Sequence, residues 1–136
     1  MKYAQSYIDR YFSDIKEYDS KIELMNIAYG ELDKCSGTDK EWIIALSEVM
    51  SWQAASYRSG VWTYYDALNG DSAEVMINYS KGNNEILEKY VLGIRNYENE
   101  ELMDEIDVWI QNNEGKIYEY LENILQENKT WFYNII

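Results

Sequence analysis

Apolar side chains recur at alternating intervals of three and four residues along the first quarter of the chain: Ile8, Tyr11, Ile15, Tyr18, Ile22, Met25, Tyr29 and Leu32. A helix gathers such positions on one side, whereas a half-buried strand needs alternation at every second residue, which is hard to find anywhere in this chain. Proline, the strongest helix breaker, is absent from all 136 positions. The spacing therefore predicts an all-α fold. The first stripe is long enough for roughly seven turns of one helix, with a kink expected near Asp19 and Ser20. Tyrosines at every second seam position suit a parallel coiled coil badly, so packing within a bundle is expected.

A second helix is expected to start within "KCSGTDKE", where Gly37 suits the C-terminus of the preceding helix and Thr38 with Glu41 has the spacing of a capping box. At 100° per residue, Trp42, Ile43, Leu46, Val49, Met50, Ala54, Tyr57, Val61, Tyr64, Tyr65 and Leu68 stay within one arc. That predicts an unbroken, mostly buried central helix over about 40–68. Shorter helices follow near 72–80 with Ser72 as cap, near 84–97 after the loop "SKGNN", near 100–112 behind Asn99, and near 116–134. The whole is an all-α bundle of five or six helices. With 46% apolar and 15% aromatic residues, 136 residues bury one core without disulfides or metal, as a single α-helical domain over 1–136.

The formal net charge is −13 and the isoelectric point about 4.3. Residues 1–70 carry seven basic and eleven acidic side chains, net −4, and residues 71–136 five and fourteen, net −9. Such a balance argues against direct binding to nucleic acid or to an anionic membrane and favours basic protein partners. The least charged stretch, 42–65, still holds Glu48, Gln53, Arg58 and several serines, a poor membrane span. Charges interrupt "MKYAQSYIDRYF" where a signal peptide needs an apolar run, and Cys35 has no second cysteine to pair with. A cytoplasmic protein is expected.

Catalysis is disfavoured by elimination. With no histidine there is no Ser-His-Asp or Cys-His arrangement and no histidine-ligated zinc. "GNNEILEKY" opens a helix without the spacing of a phosphate loop. Cys35, at a helix C-terminus, is a poor thiolate and is expected to be a spectator. Glu101 and Glu105 have the spacing to act as an acid and base or to hold a divalent ion, but they lie on a polar face among other acids, the usual look of solvated surface. No catalytic residue, metal or cofactor is expected.

The remaining feature is that acidic face. Glu98, Glu100, Glu101, Asp104, Glu105 and Asp107 lie within 98–112 with no basic residue between them. At 1.5 Å per residue this is one charge per roughly 4 Å, close to the 3.4 Å spacing along a DNA strand. Glu119, Glu122 and Glu127 are available to extend the array, and Val108 inside the acidic arc suits a protein contact.

The stretch "RSGVWTYYDALNGD", residues 58–71, continues the core arc from Tyr57 through Val61, Tyr64, Tyr65 and Leu68 but leaves Arg58 and Trp62 off it. The preferred expectation is structural, with Arg58 a buried partner of a carboxylate and Trp62 filling a contact with a second layer of helices. The alternative is that Arg58, Trp62 and Asp66 border a groove or a dimer surface.

"SGVWTYYDALNGD", followed by two short helices and "KIYEYLENILQENKTWF", resembles the DNA-mimic protein domain family over about residues 45–132. Gly60, Tyr64, Tyr65, Asn69 and Gly70 are the matching positions; Arg58, Ser59 and Val61 stand where that family has an asparagine, a glycine and a phenylalanine. The resemblance implies a dimeric, non-enzymatic protein whose carboxylates imitate phosphates on the DNA-binding surface of a regulator or nucleoid protein. Two other functions remain open: an immunity-type inhibitor of a basic toxin, which would present the same face, and a small-molecule-binding or enzymatic helical domain with a Tyr and Trp pocket around Arg58.

Overall fold

A computed structural model describes residues 3–80 and 84–135 of the chain. Of the expected loop at 80–84, residues 81–83 lie outside the described residues. The fold is all-helical. Nine α-helices are found among the described residues: α1 Gln5–Ser13, α2 Tyr18–Gly30, α3 Gly37–Arg58, α4 Val61–Ala67, α5 Gly70–Tyr79, α6 Glu85–Ile94, α7 Glu100–Asn112, α8 Glu114–Glu127 and α9 Lys129–Asn134, with a 3₁₀ turn at Leu32–Lys34. That exceeds the five or six expected, because three predicted long helices are each broken in two.

The first break falls between Ser13 and Tyr18. Lys21, 1% exposed, fills it: its ammonium donates to the carbonyls of Ile15 at 2.8 Å and Lys16 at 2.9 Å and lies over the Tyr118 ring. The break also resets the helical phase. The stripe read from Ile8 predicts Tyr18, Ile22, Met25 and Tyr29 inward; α2 fully buries Ser20, Lys21, Leu24, Ile27 and Ala28 instead, with Tyr18, Ile22 and Met25 half-buried against the core and Tyr29 49% exposed.

The central helix ends at Arg58, not near residue 68. The amides of Ser59 and Gly60 both donate to the Ala55 carbonyl at 2.9 Å, and Gly60 adopts φ +95°, a conformation that favours glycine. The chain thus leaves α3 and restarts as α4 in a new direction. Tyr57, on the predicted core arc, is left 48% exposed with its hydroxyl donating to Glu114 Oε2 at 2.8 Å. The third break is at Asn128, whose amide nitrogen donates to the Ile124 carbonyl at 2.8 Å. At the start of α3 no side-chain cap forms; Gly37 turns the chain with φ +60°.

As expected, α3 is the central element. It buries residues on every side, from Trp42 and Ile43 through Trp52 and Gln53 to Ser56, and packs against α2, α4, α5, α7 and α8. One hydrophobic core runs through it from Ile8 to Phe132. Where α3, α4 and α6 meet, Trp52 Nε1 donates to the Tyr65 hydroxyl at 2.8 Å, and Tyr65 donates to the Tyr90 carbonyl at 2.6 Å. Tyr64 donates to Glu48 Oε1 at 2.6 Å and meets the Tyr90 hydroxyl. Among the described residues no helix is long and apolar enough to cross a membrane.

Candidate functional site

α7 starts where its local sequence says it should. Asn99 Oδ1 accepts the Leu102 amide at 3.0 Å, Glu100 and Glu101 occupy the first turn where the helix dipole favours carboxylates, and Met103, Ile106 and Ile110 face the core. This orientation leaves Glu98, Glu100, Glu101, Asp104 and Glu105 exposed, and Val108 58% exposed beside them. Among the described residues none of these five acids is paired with a lysine or arginine.

Asp107 differs from its neighbours. It is half-buried, and its Oδ1 accepts the Val61 amide at 2.9 Å and the Ser56 hydroxyl at 2.7 Å. α4 begins with orphan amides and has no cap of its own, so Asp107 on α7 supplies the acceptor. Part of the acidic array is therefore structural.

The break at Gly60 brings the start of α4 against α7. Trp62, expected to be buried in the preferred structural role, is 47% exposed. Together with Ser59 and Gly60 it forms one wall of a groove of about 580 Å³, and Glu98, Glu100, Met103, Asp104 and Asp107 form the other. Two features that the sequence presents 36 residues apart or more, the tryptophan and the acids, thus share one concave surface.

Arg58 does not join that groove. It is exposed at the end of α3 and among the described residues makes no salt bridge, which corrects the expectation of a buried carboxylate pair. The physical reason is the helix break: Arg58 occupies the last turn, beyond the buried section of α3. Asp66 is exposed on α4 and does not line the groove. Glu122 on α8 is half-buried and pairs with Lys16 at 3.8 Å. The Cys35 thiol donates to the Glu31 carbonyl at 3.2 Å, and burial, then Asp39 and Glu31, raise its pKa, so it stays protonated. Among the described residues, no group of three or more His, Cys, Asp or Glu is arranged to hold a metal ion.

Compared with known proteins, the chain matches no family model, no curated protein and no solved structure.

Proposed function

We propose that the chain is a non-enzymatic acidic binding protein whose α7 face occupies the basic surface of a nucleic-acid-binding protein in place of DNA. The observation that carries this is the groove in which an exposed Trp62 stands opposite Glu98, Glu100 and Asp104, none of them paired with a lysine or arginine among the described residues. Unpaired carboxylates at near-phosphate spacing attract a basic surface over several charges at once, and an exposed tryptophan offers an anchor for an arginine or for an apolar contact. Val108 extends the apolar contact along α7. The likeness to the DNA-mimic family adds a homodimer to this reading as a proposal, and the lone Cys35 adds a cytoplasmic place of action.

The experiment is to capture a basic partner from cell extract and titrate it against the native protein and a variant carrying Glu98→Gln, Glu100→Gln, Glu101→Gln, Asp104→Asn and Glu105→Gln. Asp107 is left intact because it caps α4. Affinity should fall by more than about tenfold, or 1.4 kcal/mol, and should weaken steeply with salt. Melting temperature should be equal or higher, since like charges four apart on a helix repel. Duplex DNA should compete for the partner. Equal affinities would reject the proposal, and a basic partner that DNA does not displace would redirect it to an immunity-type inhibitor.

A further inference from the structure

Asp107 uses only half of its carboxylate for the fold. Oδ1 takes both the Val61 amide and the Ser56 hydroxyl, which fixes the orientation of the group at the start of α4. Oδ2 has no hydrogen-bond partner among the described residues and is accessible. Asp107 lines the groove between α4 and α7, so this is the oxygen it offers there. Gly60 keeps that oxygen clear: a Cβ at Gly60 would stand 3.5 Å from it, and the φ of +95° disfavours any side chain. Beside the carboxylate is a ring without a partner. Trp62 follows directly after the amide that Asp107 accepts, is 47% exposed, and makes no ring contact or hydrogen bond among the described residues. A tryptophan at the edge of a concave surface is a usual anchor of a protein contact.

These two features select among cations. Exposed carboxylates alone attract lysine and arginine alike. A guanidinium differs from an ammonium in two respects: its planar fork donates to two acceptors at once, and its flat face lies on an indole ring. The groove meets both demands. Asp107 supplies an oriented oxygen, Asp104 lies one helical turn away on the same face of α7, and Trp62 adjoins them. Because Asp107 is already held by the fold, it loses little side-chain freedom on binding. No lysine or arginine among the described residues lines the groove to compete for these groups.

We infer that the groove is a seat for one arginine side chain of a protein partner, whose guanidinium donates to Asp107 Oδ2 and to Asp104 and stacks on Trp62. The inference rests on the reading of α7 as the face for a basic partner and adds the kind of residue that this face selects. Asp107 then serves twice, with one oxygen for the start of α4 and the other for the partner.

The test titrates end-blocked glycine peptides carrying a single arginine, lysine or citrulline into isotope-labelled protein at low salt, up to millimolar concentration. The indole N–H of Trp62 and the backbone N–H of Gly60 report binding. The arginine peptide should shift both saturably, with a dissociation constant at least about fivefold below those of the lysine and citrulline peptides. Asp107→Asn keeps an acceptor for the Val61 amide and should raise that constant at least about fivefold, with its melting temperature read alongside. Trp62→Ala, followed at Gly60, should raise it at least about threefold, and Trp62→Phe, which keeps a flat ring, by less. Arg58→Ala should leave it unchanged. The proposal is overturned if the arginine peptide gives no saturable shift, if the lysine peptide binds as tightly, or if Trp62→Ala or Asp107→Asn binds the arginine peptide as well as the native protein. Each of these outcomes leaves capture of a basic partner by the α7 acids standing, because the effect of neutralising those acids is measured separately on the partner itself.

Discussion

Gly93 has no room for a side chain. A Cβ there would come within 2.2 Å of the Tyr65 ring, so α6 and α4 approach as closely as they do only because that atom is missing. Gly93→Ala should force Tyr65 off its bonds to Trp52 and Tyr90 and cost about 3 kcal/mol of stability, read as a lower urea midpoint. A midpoint within error of the native protein would mean that Tyr65 moves aside freely. Arg58 is the opposite case, a residue whose surroundings demand little. Because it is exposed and makes no salt bridge among the described residues, Arg58→Ala should leave the melting temperature essentially unchanged, within the roughly ±0.5 kcal/mol of ordinary surface substitutions.

At the scale of elements, the decisive event is the interruption between α3 and α4. A helix continued through residues 59–60 would have kept Trp62 in the α3 phase; the turn at Gly60 swings it to the rim of α7 instead. Asp107 holds that turn by taking the first amide of α4 and the Ser56 hydroxyl. Asp107→Ala should therefore lower stability by about 1–2 kcal/mol, as loss of a helix cap does, and Asp107→Asn by less, since it keeps an acceptor oxygen. Equal effects of the two variants would show that the charge matters rather than the cap. The same logic separates the acids of α7. Four of them, with Glu98 just ahead of the helix, are exposed and are expected to tune binding, and Asp107 is expected to tune folding.

Across the whole molecule, the tyrosines packed around α3 make the fold sensitive to alkali. Burial, ahead of hydrogen bonds and neighbouring groups, raises the pKa of the Tyr64, Tyr65 and Tyr90 hydroxyls above the ordinary value of 10.0. A folded pKa above the unfolded one means that the folded state holds its proton more tightly. The contribution is therefore fully present below about pH 10 and is lost as the pH rises beyond it. Three such groups should remove roughly 4 kcal/mol per pH unit above pH 10 until the folded values are reached. Urea midpoints measured alongside tyrosinate absorbance should then show stability and ionisation changing in one cooperative step. A flat midpoint to pH 12, or ionisation that precedes unfolding, would contradict the buried hydroxyl network.

What the sequence determined by itself is whatever depends on neighbours a few residues away. Spacings of three and four without proline are enough for an all-α class, and Asn99 followed by one apolar and one acidic face is enough to bound α7 at Glu100–Asn112. Tryptophan and leucine-like residues on every side of 42–56 are enough to make α3 central. Tertiary structure decided where the first, central and last of the long predicted helices break, which way α2 faces, and which residues meet. Two of the three breaks engage groups far along the chain: Lys21 is set over Tyr118, and Asp107 bonds to Val61 and Ser56 across 46 and 51 residues. Helical periodicity carries phase only while the helix lasts, so each break erases it and contacts between distant residues set it anew. That is why Trp62, off the core arc in the sequence and expected to fill a contact with a second layer of helices, stands at the acidic groove in the fold.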